Sequence, residues 1–137
     1  MILLDMNVLS ELMRPQPSAQ VASWLDRQSA GEVWISAICR AEIELGLALM
    51  PNGKRNEALR QAAQAMFDEA FADRCLPFDE VAAGHYARIQ AGRPISVKDA
   101  QIAAIALTHR MVLAARNTAD FEPIDNLALV NPWVGGA

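Results

Sequence analysis

Hydrophobic positions along the chain switch repeatedly between two spacings. Short unbroken apolar runs (Met1–Leu4, Val33–Ile35, Cys75–Phe78, Met111–Ala115, Leu127–Val130) read as buried strands. Between them lie longer segments with apolar residues three and four apart, each bounded by a capping or breaking residue. Asn7 is placed to cap a helix reaching Met13, which Pro15 ends, and Ser18–Gln28 follows with Val21, Ala22, Trp24 and Leu25 on one side. Ser36 caps a helix to Met50, the turn Pro51-Asn52-Gly53 intervenes, and Lys54–Phe71 is helical. Asp79 caps a helix to Gln90, broken by Gly92-Arg93-Pro94, and Ser96 caps the strongly apolar Val97–His109.

Short strands alternating with helices predict an α/β domain, a three-layer α/β/α sandwich with a mostly parallel central sheet. Its 137 residues fit a single domain, 1–137, and 53% hydrophobic with 20% charged residues excludes a disordered chain. No apolar run is long enough to span a bilayer, and the start shows no basic region leading into a long apolar stretch. A cytoplasmic location is expected. Cys39 and Cys75 form no CxxC pair and read as two buried thiols, while His85 and His109 are isolated, so zinc is not expected. The net charge of −4 argues against a broad basic surface for nucleic acid. Two local basic groups stand out, Lys54-Arg55 with Arg60 and Arg88 with Arg93 and Lys98, each also explicable as a solvated helix face.

The opening MILLDMNVLSEL raises the chemical question, because its apolar run stops at Asp5, where a parallel strand would present its carboxyl end. In SAICRAEIELGLALM, residues Ile38, Glu42, Leu45 and Leu49 share a helix face, so Glu42 interrupts an apolar stripe with no cation one turn away. Either it reaches water at the stripe's edge or something compensates its burial. Asp99 completes a capping box with Ser96, yet shares the inward face of Ile102, Ala103 and Ala106. Asn117 and Asp120, after the strand Met111–Ala115, are ordinary turn formers and also oxygen ligands. Together these residues can converge at one sheet edge, where clustered carboxylates suit a hard cation such as Mg²⁺ or Mn²⁺.

Asp5-Met6-Asn7-Val8, Glu42 in RAEIELG, Asp99 in VKDAQIAAIA and ARNTADF resemble the PIN-domain family, in particular its VapC and FitB toxin branch. LSELMRPQP, LPFDEVAAGHYA and VNPW extend the likeness over nearly the whole chain. The resemblance implies a Mg²⁺- or Mn²⁺-dependent endoribonuclease, the toxin of a type II toxin–antitoxin system, that usually forms a homodimer. It carries over Asp5, Glu42 and Asp99 as an acidic triad, with the fourth site at Asn117 or Asp120. It also implies a VapB-like antitoxin that covers the pocket and binds operator DNA. Two departures are Met6, where Thr is usual, and a neutral Asn117. DMNVL also loosely fits the start of haloacid-dehalogenase-like phosphatases, and a PIN-like domain that has lost cleavage would serve as a binding or assembly module.

Overall fold

A computed structural model describes residues 1–134. Five strands, β1 (Ile2–Leu4), β2 (Val33–Ser36), β3 (Cys75–Leu76), β4 (Val112–Ala114) and β5 (Leu129–Val130), form a sheet in the order β3-β2-β1-β4-β5. Every pairing is parallel. Parallel strands covered on both faces need unbroken apolar runs, which Ile2-Leu3-Leu4 and Val112-Leu113-Ala114 supply. The central strand comes from the first residues of the chain, Ile2 facing both Val33 and Val112.

Six α-helices flank the sheet: α1 (Met6–Leu12), α2 (Ala19–Asp26), α3 (Ala37–Leu49), α4 (Lys54–Ala65), α5 (Glu80–Gly92) and α6 (Val97–His109). After β1 the strand order runs outward through β2 to β3, then jumps back past β1 to β4 and β5. Right-handed crossovers then put α1–α4 on one face and α5–α6 on the other, which is the three-layer sandwich. The order reverses between β1 and β4. At such a switch point the flanking loops part and leave a crevice at the carboxyl ends of the strands.

α6 lies close to the sheet because its inner positions are mostly small, with Ala100, Ala103, Ala104 and Ala106 buried beside Ile102 and Ile105. It ends at Arg110 in the left-handed conformation, φ 55°, a position that favours glycine. Leu3, Leu4, Val8, Leu9, Ile35, Leu113 and Phe121 form the centre of the core.

Several boundaries differ from the sequence reading. Asp5, not Asn7, occupies the cap of α1: its extended backbone leaves its carbonyl to accept from Val8 N at 3.1 Å and Leu9 N at 3.3 Å. The helix expected over 54–71 stops being α-helical at Ala65 and widens into a π turn, Met66–Ala70, closed by Phe71 N donating to Met66 O. Met66, Phe67 and Phe71 are all buried there. β3 ends at Leu76 because Pro77 has no N–H to donate. β5 is shorter than 127–130, and unforeseen 3₁₀ turns occur at Ala30–Glu32 and Thr118–Asp120. Cys39 is buried as expected, whereas Cys75 is only half-buried.

The largest correction concerns α3. Its buried line is Cys39, Ile43 and Leu47, while Leu45 is 53% and Leu49 76% exposed. Apolar residues surround most of this helix, so its spacing allows more than one inward stripe. Contact with the sheet settles the choice, while Ser36 starts the helix as expected by accepting from Cys39 N at 3.2 Å.

Candidate functional site

Asp5 follows directly on β1, its N–H donating to Ala114 O of β4 at 2.9 Å. It therefore sits at the switch point, tied to both strands that border the crevice. Its side chain makes no capping bond to α1, so the carboxylate is left for the crevice. Only 6% of Asp5 is exposed. Loss of hydration raises its pKa from 3.8 to about 6, with the charges of Asp99 and Asp120 adding to the rise and a backbone hydrogen bond at Met6 opposing it.

Asp99 enters from the first turn of α6. Ser96 Oγ accepts from Asp99 N at 3.3 Å, one half of the expected capping box. Among the described residues the reciprocal bond from Ser96 N to the Asp99 carboxylate is not made, so this side chain too is left for the crevice. Asn117 and Asp120 come from the loop after β4, where Asp120 N donates to Asn117 O at 3.1 Å in a 3₁₀ turn. Buried Phe121 anchors that loop.

Glu42 lies beside the buried line of α3, half-exposed, so it does reach water, although the stripe expected around it is not the buried one. It is nevertheless compensated: Lys98 Nζ, from α6, lies 2.5 Å from Glu42 Oε1. The sequence reading missed this contact because it considered only partners one turn away on the same helix. It also removes Lys98 from the basic group with Arg88 and Arg93. Those two arginines line a separate cleft of about 860 Å³ near the amino end of β4, with His85 and Arg110. Arg60 of the other basic group is occupied with Asn56 Oδ1 and Leu47 O.

Asp5, Glu42, Asp99, Asn117 and Asp120 all border one cleft of about 270 Å³, together with Met6, Asn7, Cys39, Lys98, Ile102 and Phe121. Burial pushes the Cys39 thiol up to about 12, which keeps it protonated, and its Sγ lies 3.8 Å from Leu4 O. Among the described residues, no three Asp, Glu, His or Cys side chains stand close enough to form a metal cage. Mutual repulsion favours such an open arrangement. The donor set itself fits a hard cation: it is all oxygen, and its most buried member carries an uncompensated desolvation cost that a cation would relieve.

Comparison with known proteins bears on the family and the fold. The PIN domain family matches residues 2–127. Toxin FitB of Neisseria gonorrhoeae is 44% identical, covering 97% of this chain and 99% of that protein. The VapC ribonuclease Y4jK of Sinorhizobium fredii is 40% identical, covering 97% and 98%. Among solved structures, FitAB bound to an IR36 DNA fragment superposes with a TM-score of 0.89 at 43% identity, covering 100% of this chain and 99% of that one. VapBC-1 of nontypeable Haemophilus influenzae gives 0.78 at 27% identity, covering 96% and 98%.

Proposed function

The chain belongs to the PIN-domain family, and from that premise we propose that it is a metal-dependent endoribonuclease, the toxin of a type II toxin–antitoxin pair. The observation that carries the reading is the meeting of Asp5, Glu42, Asp99 and Asp120 in one cleft at the switch point of the sheet. The names of its relatives, a toxin and a ribonuclease, support it. The PIN match over residues 2–127 speaks against the phosphatase alternative.

Asp5 and Asp99 are the residues to hold Mg²⁺ or Mn²⁺. The bound ion would supply charge neutralisation at the scissile phosphate and activation of a water for phosphodiester hydrolysis. Glu42 would hold a second ion or orient the attacking water, and Lys98 holds its carboxylate in place. Asp120 acts on the charge state of Asp5, which favours it over the neutral Asn117 as the fourth acidic position. Asn117 remains able to offer its amide oxygen. Met6 lines the cleft with a thioether that has no hydrogen to donate, so on that side its only donor is the backbone N–H, which is engaged with Asp5.

With a net charge of −4, the chain lacks the broad basic surface that duplex DNA requires. Operator binding therefore belongs to a small VapB-like antitoxin, consistent with a relative solved as FitAB on DNA. The toxin itself is expected to be a homodimer. Among the described residues no helix is long and apolar enough to cross a membrane.

The test is cleavage of total RNA by purified protein with and without Mg²⁺, set beside Asp5→Asn. Magnesium-dependent cleavage that disappears in the variant supports the assignment. Equal cleavage by both proteins means a contaminating nuclease, and none from either favours the binding or assembly module.

A further inference from the structure

A second cleft, of about 440 Å³, opens beside the acidic one. α1 borders it through Asn7, Glu11 and Arg14, and the loops after β4 and β5 border it through Arg116, Asn117 and Trp133. Asn7 and Asn117 line both clefts, so the two are immediate neighbours. Its volume lies within the range of about 300–1,000 Å³ typical of small-ligand sites.

The outer wall is a built platform. Asn131 Nδ2 donates to Arg116 O at 2.9 Å, and Asn131 Oδ1 accepts from Trp133 N at 2.9 Å. One side chain thus pins the two loops together. It holds Arg116 over the Trp133 ring, the guanidinium carbon 4.9 Å from the ring centre. Arg14 is engaged by Glu11 at 3.4 Å, and Glu11 also accepts from Ser18 N at 3.0 Å. Arg116 has no carboxylate partner among the described residues. An exposed cation stacked on a half-buried indole, beside a cleft suited to phosphodiester cleavage, matches the face and the backbone of one nucleotide.

We propose that this second cleft holds a nucleotide flanking the scissile phosphate of single-stranded RNA. Its base stacks on the Arg116–Trp133 platform, and Arg116 donates to its phosphate. Base faces are free for such stacking only when the strand is unpaired, so duplex RNA is disfavoured. The proposal rests on the RNA-cleaving assignment of the neighbouring cleft.

Binding tests it separately from cleavage. In an Asp5→Asn background, a fluorescein-labelled single-stranded oligouridylate of about ten nucleotides is titrated and followed by anisotropy. Trp133→Ala and Arg116→Ala should each weaken binding about tenfold, and Trp133→Phe should stay within about threefold. Circular dichroism confirms that each variant is folded. Unchanged affinity in both alanine variants overturns the proposal and leaves the platform to a protein ligand. Absence of binding in the Asp5→Asn background also overturns it, as does a Trp133→Phe loss equal to that of alanine. Failure of the enzymatic reading shows elsewhere, as RNA cleavage that Asp5→Asn does not abolish, and leaves the anisotropy comparison intact.

Discussion

Lys98 reaches from α6 to α3 and meets Glu42, its Nζ 2.5 Å from Oε1. The ammonium group holds the carboxylate at the rim of the acidic cleft, so it competes with any divalent ion for the same oxygen. Both side chains are partly exposed, at 59% and 31%, and solvent screening limits such a pair to about 1 kcal/mol or less. Lys98→Met should therefore tighten Mn²⁺ binding by a few-fold at most, measured by isothermal titration calorimetry. Weaker binding in the variant would show that Lys98 organises the site and does not compete for it.

Asp5 makes the folded state depend on pH. Its folded pKa of about 6 lies above the unfolded value of 3.8, so the native chain holds the extra proton between these limits. The associated stability is fully present below the unfolded value and lost as pH rises through the folded one. By pH 8 the ionised, buried group costs about 3 kcal/mol. Asp5→Asn should recover much of that at pH 8 without divalent ions and gain little at pH 4, as read from urea denaturation. An equal gain at both pH values would exclude ionisation as its source.

The same proton should block the proposed chemistry. A protonated Asp5 is a poor ligand, so RNA cleavage at limiting Mg²⁺ should fall on acidification with a midpoint near the Asp5 value of about 6. Raising Mg²⁺ should shift that midpoint to lower pH, because ion and proton compete for one carboxylate. A midpoint indifferent to magnesium contradicts that role for Asp5.

Arg110 offers a stability test remote from the cleft. It ends α6 with φ 55°, where a side chain costs about 1 kcal/mol that glycine avoids. Arg110→Gly should raise the unfolding free energy by somewhat less, about 0.5 kcal/mol, because glycine also gains entropy in the unfolded chain. Differential scanning calorimetry should show a higher Tm.

The layers and the order of elements were legible in the sequence because strands buried on both faces need continuous apolar runs, and Ser36, Asp79 and Ser96 announce their helices. Each of these three does accept the expected backbone bond. The rotation of α3 was not legible, since apolar residues occur on nearly all its sides and only contact with the sheet selects Cys39, Ile43 and Leu47. For the site, the carboxyl ends of strands pointed to Asp5 and to the loop of Asn117 and Asp120. The pairing of Lys98 with Glu42 joins two helices distant in the chain, and spacing within either one holds no trace of it. The Arg116–Trp133 platform depends in the same way on Asn131 bringing two loops together.

The acidic cleft is closed by segments far apart in the sequence: Asp5 is fastened to Ala114, and Asn117 and Asp120 follow immediately. During translation Asp5 is made long before the strand it is fastened to, and every residue between them must follow first. A prematurely terminated chain that stops short of Ala114 cannot assemble the cleft at all. The topology thus makes the acidic cleft a late product of folding, since it needs two segments widely separated in the sequence to pair first.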